Sequence, residues 1–311
     1  MLWVDKYRPT SFDRMDVHKP LSAQLKNIVK SGDFPHMLLY GPSGAGKKTR
    51  VMALLKQLFG TRAEKVKLEN KDLKVGAAGT KTITVTLLSS ASHIEVNPSD
   101  YGVYDRYVIS NLIKEIASSA PIEYQSSSSA ASSSSLSDAP QQQPKNFKVV
   151  VLNEVDNLTR EAQQALRRTM EKYMKTCRII LCASGMSKVL GPVRSRCLCV
   201  RVPAPSKQDV VSVLKSVALQ ENLQLPDAFA QRIAEAADGN MRKALLALEA
   251  SKVDQYPFKA DQAIKLADWE RFIQDIAKDM MEEQSPQKLY QLREKYYALI
   301  TNCIPPELIL K

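Results

Sequence analysis

A glycine-rich segment at residues 41–49, GPSGAGKKT, constrains the fold of this chain more than any other feature. It fits the pattern GxxxxGK[ST] through Lys47, except that Lys48 stands where a hydroxyl belongs. Apolar residues 38–40 precede it and helically spaced apolar residues follow as far as Leu58, which predicts a strand, a loop and a helix. Such a loop binds phosphate through backbone N–H groups and the helix N-terminus. A chance glycine-rich turn is the alternative.

We expect the whole loop to contact a nucleotide. A hydroxyl after the loop lysine would bind Mg²⁺, and a lysine there puts a cation in the place of a cation ligand. The next residue cannot substitute, because one helical step turns its side chain roughly 100° away. The loop therefore predicts a site that holds nucleotide and hydrolyses it slowly. Its residues are Gly41, Pro42, Ser43, Gly44, Ala45, Gly46, Lys47, Lys48 and Thr49.

A second apolar strand is predicted at residues 147–152, followed by Asn153 and Glu154. In P-loop proteins an Asp at the first of these positions anchors Mg²⁺, and the Glu polarises the attacking water. Asn153 is an uncharged, weaker substitute, so both metal-side positions are altered while Glu154 remains. We expect ATP or ADP as the ligand, and the sequence argues against Mg²⁺ at this site. An ordinary core strand with a polar end is the alternative.

Composition frames these motifs. The 311 residues are 44% hydrophobic, enough for two or three domains with substantial cores. We expect a soluble intracellular protein with no membrane partner, because no apolar run approaches spanning length and the N-terminus lacks a signal peptide's apolar segment. Five scattered cysteines form no zinc pattern or disulfide framework. The formal charge of +11 favours a polyanionic partner, although a solvated basic surface would give the same value.

One segment does not belong to a packed core. Residues 122–145 consist mostly of Ser, Ala, Gln and Pro, too poor in apolar side chains to repay ordering. We expect a disordered insertion that loops out between a helix around residues 108–117 and the second strand. Phosphorylation of its serines is an alternative role.

A basic helix is predicted after the second strand, at residues 159–174. Arg168 and Lys172 lie one turn apart on its polar side, and Lys175 continues the stripe. With Arg106, they are candidate contacts to DNA phosphates. A solvated face paired with nearby glutamates is the alternative.

A further buried strand is predicted at residues 178–183, and a mostly apolar strand at residues 198–202. Strands and helices therefore alternate along the first two thirds of the chain. This alternation predicts an α/β domain built on a parallel sheet with helices on both faces.

Six short motifs follow one another along the chain. They are WVDKYRP at residues 3–9, the loop at 41–49, NE at 153–154, ALRRTME at 165–171, SRC at 195–197 and GNMRKAL at 239–245. In this order the chain resembles the clamp-loader small subunits, an AAA+ family, and specifically those of replication factor C. The resemblance covers nearly the whole chain apart from the serine-rich insertion.

The resemblance implies roles that the residues alone do not identify. Arg196 would reach the γ-phosphate on a neighbouring subunit as an arginine finger in trans; an ion pair with a local carboxylate is the alternative. Arg242 would be the sensor 2 arginine on the chain's own nucleotide, with a helix-surface charge as the alternative. The sensor 1 position, usually Asn, is Ser184. The positions matching the adenine and ribose side of the family's pocket are Tyr7, Arg8, Pro9 and Val17.

The resemblance also implies a domain order. A P-loop AAA+ nucleotide-binding domain would occupy residues 1–202, a small helical lid 203–257, and the beginning of a helical collar 258–311. Family members continue further, so we expect the collar to be truncated here.

The implied function is that of one subunit in a nuclear heteropentamer, a DNA-dependent ATPase. It would use ATP to open a sliding clamp, proliferating cell nuclear antigen, and load it onto primer-template DNA for replication and repair. Its other partners would be replication factor C subunits. A self-sufficient homo-oligomeric AAA+ ATPase acting on DNA is the alternative, and it would need the Mg²⁺ ligands that Lys48 and Asn153 replace.

Overall fold

The computed structural model describes residues 1–31, 34–75, 81–118, 147–174, 176–259, 261–265 and 267–310. The serine-rich insertion at residues 122–145 and Lys175 lie outside the described residues. Over the described ranges, a sheet flanked by helices forms the first part of the chain, and helices alone form the rest.

In the part of the chain that the structure describes, the sheet has seven strands. They are β1 Met37–Tyr40, β2 Lys67–Val75, β3 Lys81–Ser89, β4 His93–Val96, β5 Lys148–Leu152, β6 Cys177–Ala183 and β7 Leu198–Arg201. Their order is β2-β3-β4-β5-β6-β1-β7, and the last five of these are mutually parallel. The predicted parallel α/β sheet is confirmed. Its extension by an antiparallel hairpin, β2 and β3, is a difference from the prediction.

Helices surround the sheet and then continue alone. They are α1 Trp3–Lys6, α2 Lys19–Lys30, α3 Lys47–Phe59, α4 Asp105–Ser118, α5 Arg160–Lys172, α6 Gly191–Arg194, α7 Lys207–Gln220, α8 Asp227–Ala236, α9 Met241–Asp254, α10 Asp268–Glu282, α11 Pro286–Thr301 and α12 Pro306–Ile309. Several of them begin at side-chain caps, of which two are examples. Thr159 accepts from the Ala162 N–H at the start of α5, and Ser206 forms a capping box with Asp209 at the start of α7.

Apolar side chains cover both faces of the sheet, as parallel strands require. On β5, Val149 and Val151 face a cluster with α2 and α3, whereas Val150 and Leu152 face a cluster with α4 and α5. Successive strand residues point to opposite faces, so one short strand serves two cores. This burial on both faces fixes the height of β5 in the sheet.

The register of these strands brings their carboxyl ends to one edge. Tyr40 at the end of β1 pairs with Ala183 of β6 and Arg201 of β7, and Leu152 of β5 pairs with Val96 of β4. The residues that follow the strands therefore meet along this edge. Open α/β sheets bind their ligands there, where neighbouring connections diverge.

Helices α7, α8 and α9 enclose a separate core around Phe229, Ile233 and Leu248, all fully buried. Trp3 of α1 packs into this core, and its backbone N–H donates to Glu249 Oε2 at 3.1 Å. The beginning of the chain is therefore part of the helical cluster, although the sheet follows it directly in sequence.

A smaller cluster of Ile276, Leu292 and Leu299 joins α10 to α11. Within the described ranges, none of the helices combines the length and apolarity needed to cross a bilayer. The division into domains at residues 202 and 257 stays a prediction.

Candidate nucleotide site

A cleft of about 1090 Å³ opens at the carboxyl edge of the sheet. The loop after β1 and the N-terminus of α3 form one wall, and segments from α1, α7 and α9 lie across from it. Most residues predicted to contact nucleotide meet in this cleft. They are Tyr7, Arg8, Pro9, Val17, Ser43, Gly44, Ala45, Gly46, Lys47, Lys48, Thr49, Glu154 and Arg242.

Glycine is required in the loop for two separate reasons. Gly44 and Gly46 have left-handed backbones, with φ of 73° and 86°. A Cβ on Gly44 would also lie 1.8 Å from Oδ1 of Asn240. That oxygen caps α9 by accepting from the Lys243 N–H at 3.1 Å. The loop and the start of α9 therefore approach each other as closely as the backbone permits.

Lys47 lies folded into its own loop. Its Nζ donates to the carbonyl oxygens of Gly41 at 2.6 Å and Pro42 at 3.0 Å. These two residues thus belong to the loop but lie behind the lining of the cleft. Desolvation by burial lowers the pKa of the Lys47 ammonium. If a phosphate were bound, Lys47 would pair with a full negative charge instead of with the two carbonyl oxygens.

Arg50 braces the loop from behind, a role that the sequence did not reveal. It is 3% exposed and donates to the carbonyl oxygens of Ala45 and Val17, each at 3.1 Å. Burial lowers the pKa of this guanidinium. Arg50 therefore fixes the position of the P-loop relative to the segment before α2, which carries Val17 into the cleft.

Lys48 belongs to a polar network across the strand ends. Its Nζ forms an ion pair with Oε1 of Glu95, whose side chain is only 9% exposed. Asn153 Nδ2 donates to the same oxygen at 2.6 Å and to Asn97 Oδ1 at 2.9 Å. The two altered motif positions thus converge on one carboxylate oxygen. We call Lys48, Glu95, Asn97 and Asn153 the strand-end network.

Sequence reasoning missed Glu95 and Asn97. The one local signal was a carboxylate within the short apolar strand HIEV. Its partner Lys48 lies in α3, and the contact depends on β4 lying beside β5. Asn153 and Glu154 follow β5, as predicted.

Glu154 has an unusual backbone and an open side chain. Its φ is 51°, in the left-handed region, and its side chain is exposed at the cleft. Oε2 accepts from Asn157 Nδ2 at 3.2 Å. Ser184, at the end of β6, is also exposed at the cleft. The carboxylate and hydroxyl are thus available at the edge where phosphates would lie.

The N-terminal segment ties the cleft to the helical cluster. The Tyr7 hydroxyl donates to Glu221, and Lys6 Nζ contacts the same carboxylate at 2.6 Å. Arg8 Nε donates to Thr49 Oγ1 at 3.2 Å, and desolvation by burial lowers the pKa of Arg8. Thr49 is therefore engaged with the N-terminal segment.

Arg242 lies in the first turn of α9 and is exposed toward the cleft. Its charge contributes to lowering the pKa of Arg8, so the two guanidinium groups repel each other across the cleft. An anion between them would remove that repulsion. The position fits the sensor role implied by the resemblance, and the role itself stays a prediction.

Arg196 lies away from the residues that line the cleft and pairs within its own chain. Its Nε donates to Glu171 Oε1 at 2.7 Å, and its Nη1 donates to the Pro192 carbonyl at 2.7 Å. The bond from Arg196 lowers the pKa of Glu171. A local ion pair, the alternative role for Arg196, is therefore present in the single chain.

The basic helix has a mixed surface. Arg168 and Lys172 are exposed one turn apart on α5, and Lys172 Nζ lies 5.3 Å from the centroid of Tyr173. Arg106 Nη1 instead pairs with Glu161 Oε2 at 3.2 Å. The predicted stripe is therefore open at Arg168 and Lys172, whereas Arg106, on the neighbouring α4, is partly neutralised.

Three protein families match successive parts of the chain. Residues 17–206 match the family described as DNA polymerase III, delta subunit. Residues 212–253 match the RCF1/5-like AAA+ ATPase lid domain, and residues 269–311 match the C-terminal domain of replication factor C subunit 3. The lid match falls on α7 to α9, of which α7 and α9 border the cleft.

The fold agrees with a solved AAA+ structure. A Thermotoga maritima RuvB Holliday junction branch migration motor superposes with a TM-score of 0.53, at 14% identity, over 89% of this chain and 80% of that chain. The sheet order, the P-loop cleft and the helical lid define an AAA+ protein.

Curated relatives give the particular family. Replication factor C subunit 3 of Arabidopsis thaliana is 52% identical over all of this chain and 83% of its own length. The Homo sapiens subunit 3 is 50% identical over all of this chain and 82% of its length, and the Schizosaccharomyces pombe subunit 5 is 41% identical over all of this chain and 83% of its length. The chain belongs to the replication factor C family, in the branch named subunit 3 or subunit 5.

Gly44→Ala tests whether close approach of α9 to the P-loop positions the site. Its methyl group would displace Asn240, so we expect nucleotide affinity to fall by at least about tenfold, or 1.4 kcal/mol. Gly60→Ala is the matched control, because Gly60 has φ of 67° and open space around its Cβ position. Both variants carry the left-handed strain of roughly 1–2 kcal/mol. Titration with a fluorescent nucleotide compares them, and equal affinities would contradict this role for Gly44.

Proposed function

We propose that this chain is a clamp-loader subunit that binds nucleotide, turns it over slowly, and acts on a neighbouring subunit's ATP. The observation that carries the proposal is the strand-end network inside an otherwise intact P-loop cleft. The glycine loop, Lys47 and the helix N-terminus are those of a phosphate site. The positions that would hold Mg²⁺ instead bind each other through Glu95.

The relatives' name, replication factor C subunit, supports assembly with other subunits of that complex. The chain would join other replication factor C subunits in a heteropentamer in the nucleus. There it would help to open proliferating cell nuclear antigen and place it on primer-template DNA for replication and repair. Residues 1–202 would be the AAA+ domain, residues 203–257 the lid, and residues 258–311 the beginning of the collar that joins the subunits.

Slow ATP hydrolysis follows from the side chains present at the two metal-ligand positions. Glu154 could still orient a water, but Lys48 offers no acceptor, and Asn153 directs its amide group toward Glu95 and Asn97. ATP or ADP would be retained by the backbone cradle and by Lys47 and Arg242. The rival function, a self-sufficient homo-oligomeric ATPase, requires full hydrolysis at this very site.

Glu154→Gln separates the two functions. In the assembled complex we expect this substitution to change ATP turnover with clamp and DNA by less than about twofold, since the other sites carry hydrolysis. The isolated chain with Mg²⁺ should hydrolyse ATP at a background rate in both forms. Loss of most of the complex's activity in the Glu154→Gln ring, or vigorous turnover by the isolated chain, would favour the rival.

The position of Arg196 supports a role in trans. Its guanidinium lies beyond the chain's own cleft and is held by an exposed carboxylate, Glu171, that carries about half of its surface to solvent. An exposed ion pair contributes about 0–1 kcal/mol, so exchanging Glu171 for a partner's γ-phosphate costs little. The planar fork suits a phosphate that develops charge during transfer.

Arg196→Ala should leave assembly and nucleotide retention intact and lower ring turnover, because a finger arginine contributes roughly 10³-fold or more to hydrolysis. Arg167→Ala is the matched control: Arg167 is exposed and also pairs with Glu171, at 3.6 Å. ATP turnover of the ring with clamp and DNA is measured beside its size by chromatography. Unchanged ATP turnover in an intact Arg196→Ala ring would contradict the role in trans and indicate that Arg196 has only a local structural role.

DNA contact is proposed for the open part of the basic helix. Arg168 and Lys172 point from the same face of α5, at the spacing that follows a charged backbone. Such contacts go to phosphate and carry no sequence information. Arg106 remains a candidate, although its pairing with Glu161 reduces its charge toward DNA.

The double variant Arg168→Ala and Lys172→Ala should weaken binding of the complex to primer-template DNA equally for unrelated sequences. Its plot of log affinity against log salt should flatten by up to roughly 1.8, about 0.9 for each phosphate that is no longer neutralised. Lys278→Ala on α10, also exposed, is the control. An unchanged salt slope in the double variant would place both residues away from DNA.

A further inference from the structure

The strand-end network leaves no place for the divalent cation that P-loop proteins of this fold employ. Lys48 carries three donors and no acceptor, so it cannot ligate a metal. Asn153 is neutral, and the carboxylate that lies between these two residues, Glu95, is already shared by them. Across the described residues there is also no group of three or more His, Cys, Asp or Glu side chains able to hold a metal ion. The residues present do not fit Mg²⁺.

The same residues place an ammonium group there instead, held in position by a carboxylate that offsets part of its charge. Glu95 is almost fully buried and holds the Lys48 ammonium from below, while the lysine side chain remains 43% exposed at the cleft. An ammonium held in this way is pre-positioned, so little side-chain entropy is lost when an anion arrives. Asn153 fixes the carboxylate from the other side at 2.6 Å.

The charged side chains that line the cleft also favour binding of an anion without a metal. Lys47, Lys48, Arg8 and Arg242 line it beside carboxylates that include Glu154 and Asp156, and the positive N-terminus of α3 adds to the cations. These cations would offset the charge of a nucleotide polyphosphate without a metal. A Mg²⁺ ion bound to the phosphates would bring a second cation against Lys48, and like charges repel.

We propose that this site binds the polyphosphate of ATP or ADP without a divalent cation, with Lys48 as a built-in counter-ion. The proposal rests on the proposed nucleotide function and goes beyond it by naming the metal-free nucleotide as the ligand. Metal-free binding and slow hydrolysis then have one cause. The Lys48 ammonium stabilises the phosphates, but it cannot replace Mg²⁺ in activating the attacking water.

The experiment measures ADP affinity of the full chain by calorimetry, in EDTA and in excess Mg²⁺. For the unaltered chain we expect affinity in EDTA to equal or exceed that in Mg²⁺. For Lys48→Gln, which keeps a hydrogen-bonding partner for Glu95 but removes the charge, we expect affinity in EDTA to fall about tenfold, or 1.4 kcal/mol. The double variant Lys48→Thr and Asn153→Asp, which restores a hydroxyl and a carboxylate, should bind ADP more tightly with Mg²⁺ than without it.

Lys56→Gln is the matched control, because Lys56 lies on the same helix, pairs with Glu64 at 2.6 Å, and is not among the residues lining the cleft. Binding by the unaltered chain only in the presence of Mg²⁺ would overturn this inference and leave the nucleotide function standing. No binding in either condition would instead defeat the nucleotide function itself. Equal affinity of Lys48→Gln and Lys56→Gln in EDTA would remove Lys48 from the role. The measurements on the unaltered chain decide the matter even if a variant fails to fold.

Discussion

The position of β1 between β6 and β7 is the constraint on which the site depends. Leu38 and Leu39 of this strand are completely buried in different cores, so β1 cannot slide without exposing one of them. The strand therefore ends at a fixed height, and the phosphate loop begins there. Because β4, β5 and β6 run in the same direction, their ends deliver Asn97, Asn153 and Ser184 to the same edge.

At that edge of the sheet, the strand-end network stabilises the fold as well as shaping the site. A carboxylate as buried as Glu95 would be strongly destabilising without a partner, at about 3–5 kcal/mol for a broken buried pair. Lys48 and Asn153 both relieve that cost. Restoring the usual hydroxyl at position 48 would leave Glu95 without its cation, and an Asp at position 153 would place a second negative charge beside it, so the double variant depends on Mg²⁺ to offset the two carboxylates.

Features that depend only on residues close together in the sequence were predictable. The P-loop, the strand before Asn153 and the helix carrying Arg168 all follow from local spacing. The hairpin of β2 and β3 was missed because an edge strand such as LENKDL carries charges that hide its pattern. Glu95 was missed because its contacts with Lys48 and Asn153 arise only from the order of strands in the sheet. Arg50 was missed because nothing in the sequence distinguishes a buried arginine that donates to carbonyl oxygens from an ordinary helix arginine.

The first nine residues connect the two halves of the molecule mechanically. Trp3 lies in the core formed by α7, α8 and α9, whereas Arg8, a few residues later, bonds to Thr49 beside the phosphate loop. A rotation of those three helices must therefore pull on the cleft wall through a short stretch of chain. We therefore expect the residence time of a nucleotide in the cleft to depend on how freely these three helices rotate relative to the sheet.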